Sequence, residues 1–240
     1  MKQILLLLVV ASISLPACRY TFGKRVSGNG NMKTEERSVA DYRGVSSHGP
    51  FDVVLVQDSA YKVSVEAEEN LLPYIETYVD NGVLKVRTKD GYNLNSSKGM
   101  KVHISAPSFS VISTVGSGNI VSENMITNSS AIKLDATGSG DIRVKLNAPE
   151  INADLTGSGN INLEGETKNF NGEIMGSGDI RAYDLKSENV GVEILGSGNA
   201  EVFASMKLKV EINGSGDVKY KGDGAVSSSI HGSGNVRKVQ

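Results

Sequence analysis

Seven serines in this chain each stand between two glycines and precede asparagine or aspartate. The tetrapeptide Gly-Ser-Gly-Asn/Asp begins at Gly116, Gly138, Gly157, Gly176, Gly196, Gly214 and Gly232. Serine among glycines has the composition of a nucleophile, and aspartate among glycines that of a calcium ligand. Neither chemistry fits the spacing. A nucleophile elbow is Gly-x-Ser-x-Gly at a single strand–helix turn, whereas here Gly-Ser-Gly recurs as a corner. Calcium-binding β-rolls run on tandem Gly-Gly-x-Gly-x-Asp nonapeptides; this chain lacks that motif, its period is about twice as long, and asparagine takes every other site. His48, His103 and His231 are widely separated and follow no metal-ligand spacing. No Gly-x-x-x-x-Gly-Lys phosphate loop occurs. Exposed charges such as Asp184, Lys186 and Glu188 fall in a polar connection and read as a solvated loop. No catalytic residue, metal site or cofactor is implied.

Cys18 is the residue whose context does suggest chemistry. Met1-Lys2-Gln3 carries one positive charge, and an apolar run follows from Ile4 to Leu15. That run is shorter than the ~20 residues a membrane-spanning helix needs and has the form of a secretory signal peptide. It ends in Leu15-Pro16-Ala17-Cys18, which resembles a bacterial lipobox, although Pro16 is not the commonest residue there. The resemblance implies cleavage after residue 17 and acylation of Cys18. Acyl chains on one cysteine would hold an otherwise soluble chain at a membrane surface. Cys18 is the only cysteine, so an intramolecular disulfide and a Cys-x-x-Cys site are excluded. The expectation is an exported lipoprotein of the bacterial cell envelope, in the outer membrane.

The elements that position these residues follow from the repeat. Successive tetrapeptides are 22, 19, 19, 20, 18 and 18 residues apart. A near-constant period of this size marks a stacked solenoid. Aligned on the first glycine, three preceding columns are mainly apolar and spaced by two. The outermost holds Ile132, Ile151, Phe170, Val190, Leu208 and Val226; the innermost holds Ala136, Leu155, Ile174, Ile194, Ile212 and Ile230. After the corner, Ile120, Ile142, Ile161, Ile180, Ala200, Val218 and Val236 open a second strand. Period two means one apolar face per strand. Each repeat is therefore strand, Gly-Ser-Gly corner, strand and a variable connection. The expected fold is all-β: a right-handed parallel β-helix of about seven coils. An antiparallel array of hairpins would explain the corners but not the constant full period.

The fourth residue of the corner alternates without exception: Asn119, Asp141, Asn160, Asp179, Asn199, Asp217, Asn235. Stacked carboxylates about 4.8 Å apart would repel by roughly 1 kcal/mol in water, and by more where desolvated. Asparagine on alternate coils doubles that separation and offers each aspartate amide donors above and below. The column is expected to be a structural ladder that holds coil register.

The rest of the chain divides accordingly. Residues 1–17 are the signal peptide, 18–36 a polar lipid-anchored tether, 37–110 an irregular β-rich segment, and 111–240 the repeat solenoid. Within the β-rich segment Phe51, Val53 and Leu55 alternate, and Asn81-Gly82 is a strong two-residue hairpin signal. Residues 68–78 have room for a short helix, limited to a turn or two by Pro73.

The lipobox, the stretch Leu71-Leu72-Pro73-Tyr74-Ile75 and the recurring Gly-Ser-Gly-Asn-Ile resemble the putative auto-transporter adhesin, head GIN domain family. The resemblance spans residues 37–236. It implies a pectin-lyase-like parallel β-helix and a role in cell-surface adhesion, and it brings no catalytic residues.

Net charge is −2 with both signs mixed throughout, so nothing points to nucleic acid. The expected partners are a membrane, through Cys18, and a protein or glycan of unknown identity, with room for a homo-oligomer. A polysaccharide-binding or polysaccharide-cleaving β-helix is the alternative, since pectin-lyase-like helices include such enzymes.

Overall fold

The structure is a computed structural model that describes residues 23–240; the signal segment and the lipidation site Cys18 lie outside the described residues. Chain order begins with β1 (Lys24–Ser27), β2 (Met32–Glu36), β3 (Gly44–Gly49), β4 (Asp52–Gln57) and β5 (Lys62–Glu68). A 3-10 turn at Leu72–Tyr74, opened by Pro73, leads into β6 (Ile75–Asp80), β7 (Val83–Thr88), β8 (Tyr92–Asn95) and β9 (Lys101–Ala106). The repeats then supply β10 (Val111–Gly116), β11 (Ile120–Thr127), β12 (Ile132–Gly138), β13 (Ile142–Gly157), β14 (Asn160–Gly176), β15 (Asp179–Gly196) and β16 (Asn199–Gly214). The last strands are β17 (Asp217–Lys221), β18 (Ala225–Gly232) and β19 (Asn235–Lys238).

Every repeat strand pairs in parallel with its equivalent one period away, and the corner glycines stack in register: Gly116 on Gly138, Gly138 on Gly157, and so on to Gly214 on Gly232. Parallel pairing at this register makes a β-solenoid of about six turns and rules out a hairpin array. The connections are more regular than expected. β13 to β16 each run unbroken from one corner to the next, and bulges absorb the unequal repeat lengths, as between Ala182 and Asn189.

The corners show why glycine is used twice. The first glycine of each has φ between +115° and +147°, where a Cβ is strained. Its carbonyl, as at Gly138, accepts the N–H groups of Ser158 (2.8 Å) and Gly159 (3.2 Å) of the next coil. The second glycine stands against the coil below: a Cβ on Gly159 would run into the Gly140 carbonyl oxygen.

Between the corners the inward columns close a core that continues without interruption from Tyr42 to Val218. Sizes are matched across it. Gly172 takes an inward position beside Phe170, whose ring would lie 3.3 Å from any Cβ there. Nearly every inward residue is buried, so apolar burial supplies the main stabilisation.

The N-terminal region is built on the same frame. β3 pairs with β10 and β4 with β11, both in parallel, and Gly49 stacks under Gly116 with φ +125°. Residues 44–57 are thus a coil with its own corner. After β4 the chain leaves for an excursion that covers the first coil: β7 pairs with β3 and β9 with β4, while β6 and β5 add antiparallel to these two. The β6–β7 hairpin turns at Asn81-Gly82, both with positive φ. Residues 24–36, expected within a tether, form strands on the body: β1 lies parallel to β8 and β2 antiparallel to β5. Glu68 holds this docking. Its buried carboxylate accepts bonds from Gly30 N (2.9 Å), Ser96 Oγ (2.6 Å), and Ser97 N and Oγ (3.0 and 2.8 Å).

Candidate functional site

The corner column is in atomic contact along the solenoid, with a direction the sequence does not reveal. Asp141 Oδ1 accepts from both the backbone N (2.9 Å) and Nδ2 (2.8 Å) of Asn160. Asp179 does the same for Asn199, at 3.1 and 3.0 Å. Where asparagine comes first, its Oδ1 accepts only the backbone N of the next aspartate: Asn119 from Asp141 (3.0 Å) and Asn199 from Asp217 (3.1 Å). Asp217 in turn accepts from Asn235 N at 3.1 Å. Each carboxylate is therefore served by the amide of the coil that follows it, not from both sides. At the Asn160–Asp179 step Asp179 N bonds the Gly159 carbonyl (3.3 Å), and the Asp179 carboxylate turns to Arg181 (2.8 Å).

Asp52 extends the column by one. Its Oδ1 accepts from Asn119 N (3.2 Å) and Nδ2 (2.9 Å), the pattern of Asp141 toward Asn160. Gly49-Pro50-Phe51-Asp52 is an eighth corner in which only the first and last residues survive. The alternation, aspartate below asparagine, holds there too. The signal in the sequence was glycine followed three residues later by an acidic residue at the end of an alternating strand.

The seven corner serines are exposed along an outer ridge. One serine does meet a histidine: Ser46 Oγ lies 2.9 Å from His48 Nε2. Ser46 is buried, and partial burial of His48, followed by its cationic neighbours Lys85 and Arg87, lowers the imidazole pKa. A triad needs a carboxylate to orient and charge-balance the imidazole; this one has cations. His103 lies on β9 and His231 on β18, apart from His48. Among the described residues, no three His, Cys, Asp or Glu side chains converge as a metal site. Asp184, Lys186 and Glu188 project from β15, with Lys186 Nζ over the Phe203 ring at 4.4 Å.

The outer face of the sheet before the corners carries the other ordered array. Asp135, Asp154, Glu173, Glu193 and Glu211 pair in register on five consecutive coils. The next outward column is Lys133, Asn152, Asn171, Gly191 and Lys209. Apart from Asp135 these residues line an open groove of about 570 Å³, in which Gly191 leaves out one outward side chain. Lys133 pairs with Asp154 at 3.0 Å, which raises the lysine pKa, and Asn171 Nδ2 donates to Asn152 Oδ1 at 2.9 Å. Among the described residues, Glu173, Glu193 and Glu211 have no ion-pair partner. Like charges directly opposite across strands are destabilising. Beside them Met175 and Leu195, also in register, are exposed. A face of this kind can offer carboxylate and amide acceptors at a repeat of about 4.8 Å; it does not gather groups around one reacting atom.

Similarity to known proteins follows the solenoid. A putative adhesin from Bacteroides fragilis has the same fold, with a TM-score of 0.84 and 21% identity over 89% of this chain and 100% of that one. A protein from Parabacteroides distasonis described as a putative lipid binding protein aligns with a TM-score of 0.76 and 30% identity, over 90% of this chain and all of its own. A putative adhesin from Parabacteroides merdae gives a TM-score of 0.70 at 24% identity, with 90% of this chain and 100% of that chain covered. Among curated proteins none matches. The family described as putative auto-transporter adhesin, head GIN domain, matches residues 41–224, from the first coil to the connection after β17. The chain belongs to that family.

Proposed function

We propose that this protein is a non-catalytic binding module of the bacterial cell envelope, exported and held at the outer membrane by acyl chains on Cys18. Its solenoid presents long, regular outer faces to a protein or glycan. The observation that carries this reading is the groove lined by Lys133, Asn152, Asn171 and the in-register carboxylates. It repeats a carboxylate coil after coil, which suits an extended ligand with many weak contacts. Membership of an adhesin-type family supports the same reading.

Two measurements test it. Mass spectrometry of the mature N-terminus should find a diacyl or triacyl cysteine at position 18; a free thiol or an uncleaved signal would refute the anchor. The chain should capture a partner on a glycan panel or from envelope extracts, and Glu173→Lys with Glu193→Lys should abolish capture. Retention by the double variant would remove the groove from the account. Release of new reducing or unsaturated ends from any polysaccharide would overturn the non-catalytic reading.

A further inference from the structure

The two ends of the solenoid are finished differently. At the first coil the sheets are continued by antiparallel strands, and those edges carry charge: Glu76 and Asp80 on β6, Lys33, Glu35 and Glu36 on β2. Charged residues at an edge are a usual defence against pairing with another chain. At the far end no antiparallel strand among the described residues continues the sheets, and the charge sits on β19, as Arg237 and Lys238, not on β18. β18 pairs only with β16, and β19 only with β17, among the described residues. β18 reads Ala-Val-Ser-Ser-Ser-Ile-His-Gly, without lysine, arginine, acid, proline or bulge. Its eight residues are all exposed, and its inward-column residues Val226 and Ile230 remain 41% and 38% exposed. Elsewhere those two columns hold fully buried residues such as Leu208 and Ile212. The last coil is a cross-section of the core with an unprotected strand edge.

We propose that this edge binds a second copy of the same chain, edge to edge across a two-fold axis at Ser228. The inward column of β18 is palindromic in size: Val226, Ser228, Ile230. An antiparallel pairing centred on Ser228 sets Val226 opposite the partner's Ile230 and Ser228 opposite the partner's Ser228. It sets Ser227 opposite the partner's Ser229. The large apolar side chains then cover one another, the small hydroxyls meet at the axis, and no like charges face each other on the strand. A two-fold contact uses the same patch on both copies and closes. The covered first coil offers no matching edge, so the assembly stops at two and does not grow into a filament. Seven coil steps of about 4.8 Å make each copy about 34 Å long from its first corner to its last. β1 lies on the covered end region through β8 and Glu68, so the two copies of Lys24 lie at opposite ends of the pair. This inference does not depend on the groove or its ligand.

The full chain carrying Cys18→Ser tests it, since any introduced thiol is then the only one. Sedimentation equilibrium should return twice the single-chain mass. On mild oxidation Ser228→Cys should become a disulfide-linked pair, because residues directly opposite in an antiparallel pair fall within disulfide reach. Ser227→Cys should link at least about tenfold more slowly, since its own symmetry mate sits two residues along the strand and beyond that reach. Ile230→Lys should return the single-chain mass while the thermal transition of the solenoid stays cooperative. A single-chain mass for the parent at every soluble concentration would overturn the proposal. So would equal linking at 227 and 228, or a dimer indifferent to Ile230→Lys.

Discussion

Asn199→Asp is the sharpest test of the corner column. Asn199 sits between Asp179 and Asp217, and its Nδ2 donates to Asp179 Oδ1 at 3.0 Å beside its own backbone N at 3.1 Å. The substitution replaces that donor by an oxygen and puts carboxylates on three consecutive coils. Losing one hydrogen bond to a charged group costs about 1.5–3 kcal/mol. Charges about 4.8 Å apart repel by about 1 kcal/mol at the dielectric of water and about 3.5 kcal/mol at an effective value of 20. The site is part-exposed, so the lower figure governs for each of the two neighbours, and the total at neutral pH is about 4 kcal/mol. For a chain of this size that lowers Tm by about 8–16 °C. The repulsion requires ionised carboxylates. Crowding by Asp179 and Asp217 favours the protonated form of the new side chain in the folded state, so its penalty is present at neutral pH and fades as pH falls. Once protonated, the introduced carboxyl also offers a hydroxyl donor toward Asp179. Asn199→Ala removes the same amide without adding charge, so its loss should vary less with pH than that of Asn199→Asp. Thermal unfolding of parent and both variants at pH 7 and pH 4 reads the difference. An equal loss at both pH values for Asn199→Asp would refute the electrostatic reasoning, and no loss at either would refute the column as a register device.

Other consequences concern the corners, the N-terminal docking and the outer face. Gly178→Ala would press a Cβ onto the Gly159 carbonyl oxygen and to 2.9 Å from Leu155 Cδ2; a loss of about 3 kcal/mol is expected in urea unfolding, against under about 0.5 kcal/mol for the exposed neighbour Ser177→Ala. Glu68 is held at a pKa of about 2 by the Ser96 hydroxyl above all, then by Ser97 and Gly30, against the opposing effect of its burial. A lowered folded pKa means stability present above the unfolded value of 4.5 and lost as pH falls toward 2. Amide protection in β1 and in residues 28–31, with rates taken relative to unprotected exchange at each pH, should therefore fall over that window in the parent, and Glu68→Gln should show low protection already at neutral pH. Glu193→Gln relieves repulsion from Glu173 and Glu211 and should stabilise the chain by about 0.5 kcal/mol at low salt, measured by urea unfolding, with the gain shrinking as salt is added.

The repeat was legible because each of its signals is local. A glycine that must take positive φ, an apolar residue at every second position and a fixed period are written into stretches of a few residues. They are enough to predict Ile161, Ile174, Ile180 and Ile194 in the core and the serines outside it. The same locality explains the correct hairpin at Asn81-Gly82. The candidate column was legible as an alternation, but its one-sided hydrogen bonding depends on the direction in which coils stack, which no single repeat contains.

The coil, its corner and its inward columns can be read from single repeats, since each rests on φ/ψ preference and period-two burial within one repeat. How the stack begins and what lies outside it emerge only when the coils are stacked. Asp52 joins the column through Asn119, 67 residues away, and nothing in Gly49-Pro50-Phe51-Asp52 alone sets it apart from an ordinary turn. The five outward acids become one stripe only because the coils align them, and Val226 and Ile230 become exposed only because no coil among the described residues covers theirs. Contacts between residues far apart in the chain are set by stacking, and stacking is a property of the whole fold.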